Sequence, residues 1–188
     1  MRTVPRWALL SAASAPVLLI GGWQLAAARQ PGGFDPVRET ISALAAHGAT
    51  DRWIMTTGLA GLGLCHLITA LGLRSAAAPG RLLLAAGGAA TAAVAALPLP
   101  VAGDSSAHVA AASVAFPALA LWPALAGRSG TAPGRRSCLV AAGGLLGLLG
   151  WFGLEFFTEG PRIGLSERVL AGAEALWPLA AVLLARRR

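Results

Sequence analysis

Apolar residues fall into six long blocks, approximately 7–28, 53–73, 82–101, 108–127, 138–157 and 168–185. Each is close to the roughly 20 residues that a helix needs to cross about 30 Å of hydrocarbon. Strands of a barrel would alternate with period two over roughly ten residues, and nothing here does. Helices are the other way to satisfy every backbone group in lipid. The pattern therefore predicts an all-α, polytopic membrane protein with six transmembrane helices. Residues 1–188 are read as one integral membrane helical-bundle domain.

Between the first two blocks lies the longest polar interruption of the N-terminal half, FDPVRETISALAAHGATDR, Phe34–Arg52. Asp35 suits a helix N-cap and Pro36 the first helical position. Val37, Ile41 and Leu44 share a face, and Gly48 suits a C-terminal stop. A short amphipathic helix is expected here, lying on the outer membrane surface or capping the bundle. The first block has a rival reading. Met1–Arg6 is basic and Ala26–Ala28 resembles a signal-peptidase site, but the apolar run of about 22 residues exceeds an ordinary signal-peptide core. A retained helix is expected.

The chain is 56% hydrophobic and 12% charged, against about 25% charged in soluble domains. Its net charge of +7 does not point to nucleic acid, because the arginines sit at the ends of apolar blocks rather than on one polar face. Arg2, Arg6, Arg74, Arg81, Arg128, Arg135, Arg136, Arg186, Arg187 and Arg188 flank one side. By the positive-inside rule both termini are cytoplasmic. All eight acids fall on the other side, in outer loops or outer halves of helices. Cys65 and Cys138 are read as small packing residues. RSAAAPGR at 74–81 and RSGTAPGR at 128–135, with ALWP at 120–123 and 175–178, suggest a weak internal repeat of helical hairpins. Trp122 and Trp177 suit the interfacial belt.

Small residues let membrane helices approach closely. Thr57, Gly61 and Cys65 form such a row on the second helix, and Gly143 and Gly147 make a GxxxG on the fifth. Close packing is the expected role, with a Gly-lined substrate path as the alternative. Ionisable residues inside a membrane mark functional sites by default. His66 lies about 20 Å down the second helix and Glu174 about 9 Å down the sixth, at 1.5 Å per residue. Asp104, His108, Glu155, Glu167, Arg168 and Glu174 are expected to form an outer polar or ligand-binding cluster, with His66 below it. Arg52, Arg162 or Arg168 could neutralise part of that cluster. Asp35, Glu39, Ser42, His47, Asp51 and Arg52 are expected to form its rim or lid. The competing reading is a charge-paired plug that only fixes helix packing.

Catalytic zinc needs three protein ligands, and the three histidines lie at three depths. No metal is expected, although His108 with two carboxylates remains an alternative. Ser42, Ser105 and Ser106 place hydroxyls near His47 or His108, but no nucleophile elbow surrounds them. No Walker, dinucleotide or CxxCH motif is present, so no cofactor is expected.

Three stretches resemble one family. They are FDPVRETISALAAHGATDRWIMTTGLAGLGLCHLITALGLR (Phe34–Arg74), SSAHVAAASVAF (Ser105–Phe116) and LGWFGLEFFTEGPRIGLSERVLAGAEALWPLAAVL (Leu149–Leu183). Polar residues match as well as apolar ones, in the same order along the chain. The chain is similar to the DUF998 family, six-helix bacterial membrane proteins of unknown function. The resemblance implies a multi-pass protein of the bacterial inner (plasma) membrane and transfers no catalytic residue. The partners expected are the lipid bilayer and a lipid or apolar small molecule. Three functions stay open: a small transporter or lipid-binding protein, a membrane-embedded enzyme using His and carboxylate chemistry on a lipid-like substrate, and an accessory subunit.

Overall fold

A computed structural model of the chain describes residues 4–103, 105–130 and 132–187. It holds six α-helices: α1 Arg6–Ala27, α2 Trp53–Gly72, α3 Ala78–Ala96, α4 Ser106–Ala126, α5 Arg135–Phe157 and α6 Ile163–Arg186. Each is long and apolar enough to cross a membrane, and no strand is formed among the described residues. The protein is a multi-pass membrane protein. Its helices alternate in direction, so one end of the bundle collects arginines and the other collects acids. We call them the arginine end and the acidic end.

Two helix boundaries depart from the apolar blocks for local reasons. α3 begins early, with Pro79 in its first turn, and ends at Ala96, because Pro98 disfavours a helical Leu97. α6 begins at Ile163, so Glu167 and Arg168 are helical residues rather than parts of the preceding loop. Consecutive helices pack side by side, and α6 returns to α1, closing a ring. α2 and α4 also reach α6 across its middle.

α2 and α3 cross closely at a pair of glycines. A methyl group at Gly63 would sit 2.5 Å from the Gly88 carbonyl oxygen, and one at Gly88 would sit 2.7 Å from the Gly63 carbonyl oxygen. The two backbones therefore touch, as small residues allow in a membrane. The Gly61 row faces Leu18 of α1 instead. The GxxxG expectation is not met within this chain. A methyl group at Gly143 or Gly147 would meet nothing within 4 Å, because both glycines lie on the exposed face of α5. The buried residues of α5 are Cys138, Ala142 and Leu145, all toward the arginine end. Its acidic-end half stands away from the bundle.

Two apolar cores fill the ring. One, near the acidic end, packs Leu19 and Trp23 with Leu44, Met55 and Ala175. The other, near the arginine end, packs Leu73, Leu84, Leu119, Trp122 and Val182. Trp122 is completely buried, so it serves this core and not an interfacial belt. Cys65 and Cys138 are free and buried.

The amphipathic helix expected within Phe34–Arg52 does not form. A single turn starts when Asp35 accepts the Val37, Arg38 and Glu39 backbone N–H groups. Helix growth would then need the Ile41 N–H to bond to the Val37 carbonyl. Both groups are taken by α6: Val37 O accepts from Leu165 N at 3.0 Å, and the Ile41 N–H donates to the Glu167 carboxylate. Only a 3₁₀ turn at Ser42–Ala45 follows. Ile41, Leu44 and Ala45 are nonetheless buried, so the segment is tucked into the mouth of the ring rather than laid on a surface.

Candidate functional site

The inserted segment is held at three places. At its ends, the Gln30 side-chain amide donates to Thr50 O at 3.0 Å and accepts from Thr50 N at 3.1 Å. In its middle, Arg168 Nη1 lies 2.6 Å from Glu39 O and 3.0 Å from Pro36 O, with its guanidinium 5.2 Å from the Phe34 ring centre. At its inner edge, Glu167 takes the Ile41 N–H. Gln30 carries no signal in the sequence, since a lone polar residue at a helix end makes no pattern.

These anchors place Ile41 and Ser42 as the roof of a central cavity of about 50 Å³. Its walls come from α1, α2, α3, α4 and α6, and include His66, Thr91, Glu167 and Glu174. A second cavity, of about 650 Å³, opens beside it between α4 and α5. It exists because the acidic-end half of α5 stands off from α4. Gly150 and Gly153 line it, and a methyl group on either would meet nothing within 4 Å. Phe116 of α4 and Phe152 of α5 also line it, with ring centres 5.0 Å apart. Thr40, Ser42, His108 and Glu167 line it at the acidic end, with Ser113 further along α4. Ser42 and Glu167 line both cavities.

His108 fixes the chemistry of that polar end. Its Nδ1 lies 2.8 Å from the Leu97 carbonyl oxygen. A carbonyl only accepts, so Nδ1 carries a hydrogen. In the neutral ring Nε2 is then an acceptor, and Ser42 Oγ lies 3.1 Å from it. The Ser42 hydroxyl and backbone N–H also face the Glu167 carboxyl group. Glu167, Ser42 and His108 therefore make a continuous polar chain across three elements.

A protein-family model described as protein of unknown function (DUF998) matches residues 12–184. The chain belongs to the DUF998 family. No curated protein and no solved structure matches it. The match reaches into all six helices and includes the inserted segment, so the residues lining both cavities fall within the matched range.

The expected polar cluster divides into separate groups. His108 and Glu167 come together through Ser42, as above. Glu174 and His66 line the central cavity one layer further from the acidic end. Glu155 joins neither group: it accepts from Trp151 Nε1 at 3.3 Å and from Arg162 N at 2.9 Å. Asp104 lies outside the described residues. Arg168 and its neighbour Glu167 interact by charge without direct contact. Among the described residues, Arg52, Arg162 and Arg168 form no ion pair with Glu155, Glu167 or Glu174. The ion pair at this end is Asp35–Arg38, 3.7 Å and exposed. Arg52 instead donates to Ala45 O at 3.2 Å.

Of the expected rim, Ser42 reaches the cavities while Asp35, Glu39, His47 and Asp51 are exposed. Among the described residues, no three His, Cys, Asp or Glu side chains converge as metal ligands. Thr40, Thr91 and Ser113 line the cavities without having been singled out from sequence. Thr91 could have been found, since it is the one polar side chain between Leu82 and Ala96 apart from the helix ends.

Proposed function

We propose that the protein binds an amphiphilic, lipid-like molecule in the cavity between α4 and α5. The acidic end then faces outward from a bacterial plasma membrane, with both termini cytoplasmic, as the arginine distribution directs. The observation that carries this reading is the cavity itself. Its volume of about 650 Å³ lies within the roughly 300–1,000 Å³ of small-molecule sites. Apart from Ser113, its long walls are aliphatic, aromatic and glycine surface, suited to an acyl or isoprenoid chain. Most of its polar groups sit at one end, at headgroup level, where Ser42, Thr40 and Glu167 can meet a polar head.

The test is native mass spectrometry of the protein released from lipid nanodiscs. An adduct of lipid mass is expected on the wild type, and Gly150→Leu and Gly153→Leu should lose it by filling the cavity. Gly143→Leu, outside the cavity, should keep it. Equal adducts on all four proteins would refute the reading.

A second reading rests on one observation, the Ser42–His108 pair oriented by the Leu97 carbonyl. That arrangement is an activated hydroxyl, and it would make the protein an acyl hydrolase or transferase acting on the bound lipid. Against it, the N–H groups beside Ser42 are already committed: Ile41 N to Glu167 and Ala43 N to Thr40 Oγ1 at 3.2 Å. They are not free to stabilise an oxyanion. Covalent labelling of Ser42 by a fluorophosphonate would favour the enzyme, and its absence favours binding alone.

A further inference from the structure

The central cavity presents a separate problem. His66 and Glu174 are buried at 0% and 2% exposure, and both line it. Neither ring nitrogen of His66 and not Oε1 of Glu174 has a hydrogen-bond partner among the described residues. Left dry, these groups would stay unpaired at a heavy cost. A cavity of about 50 Å³ exceeds the roughly 10–15 Å³ that one water requires. Water with polar partners on several sides resolves the accounting. His66, Glu174 and the Glu167 carboxyl group supply those partners.

The titratable groups that face this cavity are few. α2 presents His66, and α6 presents Glu167 and Glu174. From α1, α3 and α4 the cavity receives Leu19, Thr91, Val94, Ala112, Ala115, Phe116 and Leu119, none of them ionisable. His108 of α4 lines the neighbouring cavity. The Arg168 guanidinium is turned toward Pro36 and Glu39. No described arginine forms an ion pair with Glu167 or Glu174, and among the described residues His66, Glu167 and Glu174 do not converge as metal ligands. Buried carboxyl and imidazole groups in a row are the means by which membrane proteins hold and pass protons.

We propose that His66 and Glu174, bridged by water, form an internal proton-binding site loaded from the acidic end through Glu167. Glu167 is the connecting group because it lines both cavities. A proton taken up by its carboxylate from water in the α4–α5 cavity passes to water in the central cavity. From there it goes to the Glu174 carboxylate or the His66 ring, and Glu167 returns to its carboxylate form. Below His66 the Leu84, Leu119, Trp122 and Val182 layer is apolar, so the site is closed toward the arginine end. This geometry is that of a proton site open to one side of the membrane only.

The experiment is infrared difference spectroscopy of the protein in bilayers, stepped in pH and exchanged from H₂O to D₂O. A carboxylic-acid carbonyl band is expected that Glu174→Gln removes. It should shift on deuteration and change amplitude with pH. His66→Gln should displace the pH of that change, and Glu167→Gln should slow the deuterium shift. Folding of each variant is checked by its thermal transition, and the wild-type pH and exchange responses stand whether or not a variant folds. A band insensitive to pH and to deuterium would overturn the proposal. So would a pH response displaced by sodium or potassium, which would mark a metal-cation site. The proposal does not rest on lipid binding: Gly150→Leu should abolish the adduct and leave this band intact.

Discussion

The Ile41 backbone N–H donates to the Glu167 carboxylate across 126 positions of sequence. This bond replaces the one that would have continued a helix through the inserted segment. It also ties the roof of the central cavity to α6. Replacing Glu167 separates the two roles of its side chain. Gln retains an acceptor oxygen for the Ile41 N–H, so Glu167→Gln should cost no more than about 1.5 kcal/mol. Glu167→Ala leaves a buried N–H unpaired and adds empty space. It should cost about 1–3 kcal/mol for the lost partner alone, and more with the void. Reversible unfolding in mixed micelles would measure both. Equal costs for the two variants would show that the hydrogen bond is unimportant.

Arg168 offers a similar test at the segment's middle. One nitrogen of its guanidinium serves the carbonyls of Pro36, Glu39 and Gly164, and the group lies over the Phe34 ring. Bonds from a charged donor are worth about 1.5–3 kcal/mol each way of counting, so Arg168→Ala should lower amide protection in residues 36–41 by about tenfold or more. Hydrogen exchange read by mass spectrometry is the check. Protection within α2 and α3, to which the Arg168 guanidinium makes no hydrogen bond, should be unchanged.

The fold was legible because its signal is long-range composition. Six apolar blocks and the arginine asymmetry each integrate over many residues, so single misplacements do not matter. The inserted segment is not legible locally, for the opposite reason. Asp35, Pro36, Val37, Ile41 and Gly48 carry a sound local helix pattern, but α6 supplies stronger partners for the Val37 carbonyl and the Ile41 N–H. Tertiary bonds to residues 165 and 167 cannot be read from positions 34–48. The same limit applies to the cluster. His108, Glu167 and Ser42 were each named, yet their joining depends on the depth to which the segment is inserted. Glu155 was grouped with them by depth alone, and its partners turn out to be Trp151 and the Arg162 backbone.

Glycines separate contact from mere composition. Gly164 lies against the Glu39 backbone, where an added methyl group would meet the Glu39 carbonyl oxygen and, at 2.8 Å, its nitrogen and carbon. Backbone cannot swing aside as a side-chain end can. Gly164→Ala should therefore cost about 1–3 kcal/mol and push the segment outward. Gly147→Ala meets nothing within 4 Å and should be neutral or stabilise by about 0.5–1 kcal/mol through helix propensity. Thermal unfolding of the pair in one detergent decides it. Comparable destabilisation at Gly147 would mean that its exposed face is packed after all.

Gly88 couples helix packing to the central cavity. A methyl group there would lie 2.7 Å from the Gly63 carbonyl oxygen and 2.9 Å from the His66 Cβ. Neither neighbour can yield without moving α2 away from α3, so Gly88→Ala should cost about 1–3 kcal/mol. It should also displace His66 within the cavity. The adjacent Gly87 is a matched control, because a methyl group there would meet chiefly the branched end of Leu119, at 2.7 Å. That end can rotate, and Gly87→Ala should cost less than Gly88→Ala. If the histidine takes part in the proton site, Gly88→Ala should also shift the pH response of the Glu174 carbonyl band, while Gly87→Ala should leave it unchanged. Destabilisation by Gly88→Ala with an unaltered band would place His66 outside the proton site while keeping the close α2–α3 crossing.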